Sequence, residues 1–209
     1  MVSGLMVRLS GDDRAARLRG VLAKDRAIRS VELVGSRARG EATELSDWDV
    51  KIETRDFLAV AVGLPALVYP LAPLAQQWDR LSVQQCYMLM LWGAIKVDLI
   101  FDEPHEPESP WEVSAETFRG IDDHFWDWTI WLASKDAVAK RELVATELRK
   151  MHEHLLAPVG VERVPESVRD AVGAYTAARA EAERRMAIAV PRAVEEEVRK
   201  LLTAGGYAL

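Results

Sequence analysis

The chain has 209 residues, 49% of them apolar, and 33 acidic against 27 basic residues give it a net charge of −6. That length holds one large domain or two small ones, and the acidic balance disfavours a protein that tracks long nucleic acid, which displays a basic face. No apolar run reaches the roughly eighteen residues that cross a membrane, Asp12-Asp13-Arg14 interrupts any export signal, and the single cysteine, Cys86, fits a reducing cytoplasm, the expected location.

The pattern predicts a first helix over residues 12–28, with Leu18, Val21, Leu22 and Ala27 on its apolar side. Val31 to Val34 reads as a short buried strand that runs directly into Gly35-Ser36. Gly permits unusual dihedrals and close backbone approach, and residues 37–44 are good helix formers. A strand, a Gly-Ser turn and a helix start make an anion site, since free amides and the positive dipole end face the ligand. Arg37 and Arg39 stand close enough to add charge.

Asp47-Trp48-Asp49-Val50-Lys51-Ile52-Glu53 then alternates as a strand does. Asp47 and Asp49 share one face while Trp48, Val50 and Ile52 fill the other. Two adjacent carboxylates repel unless a cation lies between them. Magnesium suits such a pair, because it takes hard oxygen ligands and completes its shell with water and phosphates. Residues 56–75 read as helix broken by Pro65, Pro70 and Pro73, and a further strand is expected around residues 81–85.

Tyr87 to Trp92 and Ile95 to Phe101 read as a β-hairpin with Gly93 between them. Residues 95, 97, 99 and 101 form its apolar set, so Asp98 projects to the opposite face. An acid in so apolar a run needs a partner, because an unpaired buried charge is costly. Cys86 is expected beside this strand as a small hydrophobe.

Residues 103–114 are proline-rich and charged, which marks a linker or surface loop. Beyond it, helices are predicted over 117–133, 136–156, 166–189 and 191–203, a bundle of about four. Residues 205–209 read as a frayed tail. No histidine pair has zinc-ligand spacing with cysteine.

Gly35-Ser36, ten intervening residues, Asp47-Trp48-Asp49 and the later Asp98 together resemble the nucleotidyltransferase superfamily that includes DNA polymerase β. The likeness is to its antibiotic (aminoglycoside and lincosamide) and minimal nucleotidyltransferase branches, and it is specific over residues 31–53 and looser to about 103. The resemblance implies an α+β fold, a mixed sheet flanked by helices and followed by a C-terminal helical bundle. A catalytic domain is expected over 1–105 and a helical domain over 112–209. It also implies a Mg2+-dependent enzyme moving a nucleoside monophosphate, AMP by expectation, from a triphosphate to a hydroxyl of a small molecule. Asp47, Asp49 and Asp98 would be the catalytic and metal-binding acids, and Gly35, Ser36, Arg39 and Lys140 the nucleotide contacts. Whether Asp98 is a metal ligand or a general base stays open.

A small cationic acceptor such as an aminoglycoside agrees with the acidic charge. Asp122, Asp123 and Asp127, interleaved with Trp126 and Trp128, are the candidate acceptor contacts, against a packing role for most of these residues. A homodimer sharing the acceptor site is a further expectation. Two other readings stand beside this one. The chain could resemble the minimal antitoxin-like forms that transfer AMP to a protein or bind it, or be a non-catalytic binding fold.

Overall fold

The structure is a computed structural model and describes residues 11–207. Its chain divides into two compact units, one of residues up to 42 with 46–107, the other of 43–45 with the residues from 108 onward.

The first unit is built on a five-stranded mixed sheet. Its strands are β1 (Ile28–Leu33), β2 (Trp48–Thr54), β3 (Ala75–Trp78), β4 (Gln84–Leu91) and β5 (Ile95–Pro104), in the order β1-β2-β5-β4-β3. Neighbours run antiparallel except β2 and β5, which pair in parallel with Asp49 beside Asp98. Alternation gives the sheet one apolar face. Trp48, Val50 and Ile52 of β2, Tyr87, Leu89 and Leu91 of β4, and Val97, Leu99 and Phe101 of β5 are all buried there. That face packs on Leu18, Val21 and Leu22 of helix α1 (Gly11–Leu22) and on Val60, Leu64 and Val68 of helix α3 (Phe57–Val68). Phe57, Trp78, Tyr87 and Phe101 meet there with ring centroids 5.0–5.8 Å apart, mostly edge to face, the geometry aromatic quadrupoles favour.

Several local expectations are revised. The first helix stops at Leu22, and Ala27 reaches the core from the turn before β1. Helix α2 (Gly35–Ala38) is a single turn instead of the expected helix through residue 44, because Gly40 turns left-handed at φ 72° and Glu41 N–H closes back on the Ser36 carbonyl at 2.9 Å. Pro65 does not break α3. Its missing N–H costs one hydrogen bond, which the burial of Val60, Leu64 and Val68 outweighs, and Asp56 caps the start by accepting from Ala59 N–H at 3.0 Å. The chain turns at Ala72 (φ 52°) and enters β3 at residues expected to be helical, while residues 81–83 form the turn before β4. The β4–β5 hairpin is present, Leu91 pairing with Ile95 across a three-residue turn in which Gly93 and Ala94 are both at positive φ (82° and 52°).

The second unit is helical. Helix α4 (Phe118–Asp136) is its centre and packs against α5 (Arg141–Met151), α7 (Val168–Met186) and α8 (Ala193–Ala204). A π-helical turn (His152–Leu156) and the short α6 (Ala157–Val159) follow α5, with Gly160 as a left-handed cap. Because α4 is surrounded, polar residues on it are buried too. Asp122 accepts from Arg179 Nη1 and from the Tyr175 hydroxyl, both at 2.8 Å. Arg179 also pairs with Glu195, which accepts from Arg199 Nε at 2.8 Å. Phe125 stacks on Tyr175 at 3.8 Å and Trp126 is fully buried beside them. The expected frayed tail is docked as far as it is described. Tyr207 N–H bonds the Leu202 carbonyl across left-handed Gly206, and its hydroxyl donates to Asp136 at 2.7 Å. Ala208 and Leu209 lie outside the described residues.

Among the described residues no helix is long and apolar enough to cross a membrane. The buried ion network yields a stability prediction. Arg179→Met leaves Asp122 in the interior without its cation, while Glu195 keeps Arg199, and should destabilise the helical unit by about 3–5 kcal/mol. Adding Asp122→Leu should restore part of that loss, and chemical denaturation of the two variants measures both effects.

Candidate active site

The site is built where β1 hands over to α2 and where β2 lies beside β5. Asp47, Asp49 and Asp98 each offer a carboxylate oxygen there, all within 4.8 Å of one another. Asp49 and Asp98 are register partners on parallel strands, so their side chains leave the same face. Asp47 stands one residue before β2 and is buried.

Gly35 makes room for this. Its φ is 69°, and a Cβ there would lie 1.9 Å from Asp49 Oδ2, so an alanine has neither the backbone conformation nor the space. Val34 N–H donates to the Asp49 carbonyl at 2.8 Å, which fixes the Gly35-Ser36 turn against β2. The following helix is one turn only, so its dipole adds little and a phosphate would be met by backbone amides and the small side chains.

Arg37 does not point at the acids. Its Nε donates to the Asp47 carbonyl at 2.9 Å, another nitrogen donates to the Ser46 carbonyl at 2.5 Å, and the guanidinium lies 4.5 Å over the Trp48 ring. Burial lowers its pKa from the ordinary value, with Asp47 opposing, and an arginine stays protonated in either case. Arg37 thus braces the segment that delivers Asp47. Arg39 is exposed and pairs with Glu41 at 2.8 Å in its own loop.

Lys96 is the residue that sequence reading passed over. It is buried, and its ammonium contacts both oxygens of Asp98 at 2.6 Å. The signal was available, since Lys96 lies two residues before Asp98 and the alternation that turned Asp98 away from the core does the same to it. Burial pushes the Asp98 carboxyl above the usual carboxylate range, Lys96 works against that rise, and Asp47 and Asp79 add to it. On β4, Met88 lies beside Asp98 and Met90 beside Lys96.

The three carboxylates are hard oxygen donors close enough together to share a hard divalent cation. The remaining expected residues lie in the helical unit. Asp122 is committed to Arg179 and Tyr175 in the interior, Asp127 is buried, and Lys140 stands exposed at the residue before α5. Asp123 is largely buried with Arg119 3.7 Å away, and burial raises its pKa to about 7.

Two predictions follow from these environments. Gly35→Ala should push Asp49 aside and weaken Mn2+ binding by at least about tenfold, the order seen when a ligand's support is lost, as read by titration of the purified protein. Asp123 carries a folded pKa above its unfolded one, so the folded state binds the extra proton between about pH 4 and 7 and stability falls as pH rises through that window. Asp123→Asn should therefore raise the melting temperature at pH 8, by an amount worth on the order of a few kcal/mol at most, and leave it little changed at pH 4. Melting curves of the two proteins at both pH values check this.

Comparison with known proteins follows the same residues. Residues 16–113 match the profile of the family described as nucleotidyltransferase domain. No curated protein matches the chain. Among solved structures, an aminoglycoside 6-adenyltransferase from Bacillus subtilis is similar at 12% identity, over 96% of this chain and 100% of that one, with a TM-score of 0.33. A likeness at that score assigns no acceptor. The matched span contains Gly35-Ser36, all three acids and the whole sheet, so residues 16–113 carry the features of a nucleotidyltransferase domain, an enzyme domain.

Proposed function

We propose that the protein transfers a nucleoside monophosphate, AMP first among the candidates, from a nucleoside triphosphate to a hydroxyl of a small molecule, with an aminoglycoside or lincosamide antibiotic as the leading acceptor class. The observation that carries this reading is the convergence of Asp47, Asp49 and Asp98 beside Gly35, inside the span matched to the nucleotidyltransferase domain.

Asp47 and Asp49 would hold the magnesium ion. The ion, when bound, neutralises phosphate charge and supplies a template for the triphosphate. Gly35 and Ser36 let the phosphates approach the backbone, since no side chain larger than a hydroxymethyl stands there. The acceptor oxygen attacks the α-phosphorus in line, the P–O bond to the β-phosphate breaks, and pyrophosphate leaves. The proton of the acceptor hydroxyl passes to a carboxylate of the acid set or to water. Catalysis of this kind is mostly positioning and charge stabilisation, which two paired strands in the middle of the sheet provide.

The choice of a small cationic acceptor is supported by charge. The chain carries net −6, which attracts ammonium groups and repels a polyanion. Asp123 and Asp127 would contact the acceptor, while Asp122 serves the helical interior. Arg39 and Lys140, both exposed, are carried forward as triphosphate contacts.

The test is transfer of α-phosphate label from each nucleoside triphosphate, with Mg2+, to a panel of aminoglycosides and lincosamides and to a cell lysate. Label is expected on a drug with ATP and should fall by at least about 100-fold in Asp49→Ala, the scale of a misassembled reacting geometry. Label on a lysate protein alone would move the acceptor to a protein. Triphosphate turnover with no drug labelled would remove the antibiotic class.

A further inference from the structure

Three carboxylates, each with an oxygen within 4.8 Å of the others, bring a formal charge of −3 to one small volume and repel one another. The fold already holds one cation against them. Lys96 is buried, lies on the same strand face as Asp98, and is equidistant from its two oxygens at 2.6 Å. A chelating ammonium at that distance takes up the lone pairs through which Asp98 would bind a metal.

We propose that Lys96 is the resident cation of the acid cluster, a positioning residue that reserves Asp98 and sets how many divalent ions the nucleotide-free protein accepts. The inference rests on the nucleotidyl-transfer reading of the site. With Lys96 in place the cluster's formal charge is −2, which a single divalent ion at Asp47 and Asp49 neutralises. A second ion at Asp98 would have to displace an ammonium from a buried ion pair, which is costly in a place shielded from water. Asp98 is thereby held in place without being spent on the first ion. Lys96 occupies the location where a second metal would otherwise compensate the acids. Its neighbours across the strand, Met88 and Met90, offer no charge of their own.

The experiment is Mn2+ titration of the full chain without nucleotide, followed by the paramagnetic signal of free Mn2+. Wild type is expected to take one tightly held ion per chain. Lys96→Gln should take a second, while Lys96→Arg, which keeps the cation, should stay at one. A second arm does not depend on removing the lysine. Asp98→Asn should leave the first ion's affinity within about twofold, whereas loss of a true ligand costs at least about tenfold. Two tight ions on wild type, equal stoichiometry in wild type and Lys96→Gln with a native circular dichroism spectrum, or a tenfold loss in Asp98→Asn would each overturn the assignment. The label-transfer assay separates this from the parent reading. Transfer with unaltered Mn2+ counts removes the role of Lys96 alone, and absent transfer with the expected counts removes the parent activity alone.

Discussion

Mutual repulsion among three carboxylates is the constraint around which the first unit is organised. Asp47, Asp49 and Asp98 approach within 4.8 Å, and no isolated strand would hold them so. The sheet does it by pairing β2 with β5 in parallel, which puts Asp49 and Asp98 side by side on one face. The opposite face supplies the stabilising free energy. Leu89, Leu99 and Ile52 are wholly buried there against α1 and α3, and each such side chain contributes about 1.5–3 kcal/mol. The chemistry of one face is thus carried by the apolar packing of the other.

Smaller devices hold the acids in place. Gly35 lacks the side chain that would occupy the space of Asp49 Oδ2. Arg37 clamps the carbonyls of Ser46 and Asp47 and lies over Trp48, whose indole is in the core, so the approach to β2 is tied to the packing beneath it. Lys96 offsets part of the charge from within. Each contact is local in space and remote in sequence, and together they keep the acids ready for a cation.

The helical unit handles charge differently. Asp122, Arg179, Glu195 and Arg199 form a network whose acids are matched by guanidinium groups, with Tyr175 completing the hydrogen bonding of Asp122. Burial raises the pKa of Asp122, and Arg179 and Tyr175 draw it down. Such a network ties α4, α7 and α8 together with directional bonds, while Phe125, Trp126 and Tyr175 supply the packing around it. An acidic run in a sequence can therefore be interior structure, as at Asp122, or largely buried yet titrating near neutrality, as at Asp123.

The sequence by itself determined the Gly-Ser turn, the acid pair at 47 and 49, the facing of Asp98, the β4–β5 hairpin and the helical character of the second half, while the class of fold came from a family resemblance. These are properties of period and local residue chemistry, in which alternation by two or by about 3.6 and the conformational freedom of glycine act within a few residues. It misjudged the length of α2, the fate of Pro65 and the strand β3, because each depends on what the segment packs or pairs with. Only the tertiary structure decided that β2 and β5 are neighbours, that Arg37 is a brace, that Lys96 sits on Asp98 and that Asp122 belongs to an interior ion network. Those outcomes turn on which side chains meet across long sequence separations, and charges and hydrogen bonds take their energy from such meetings and from burial, neither of which is encoded at a single position.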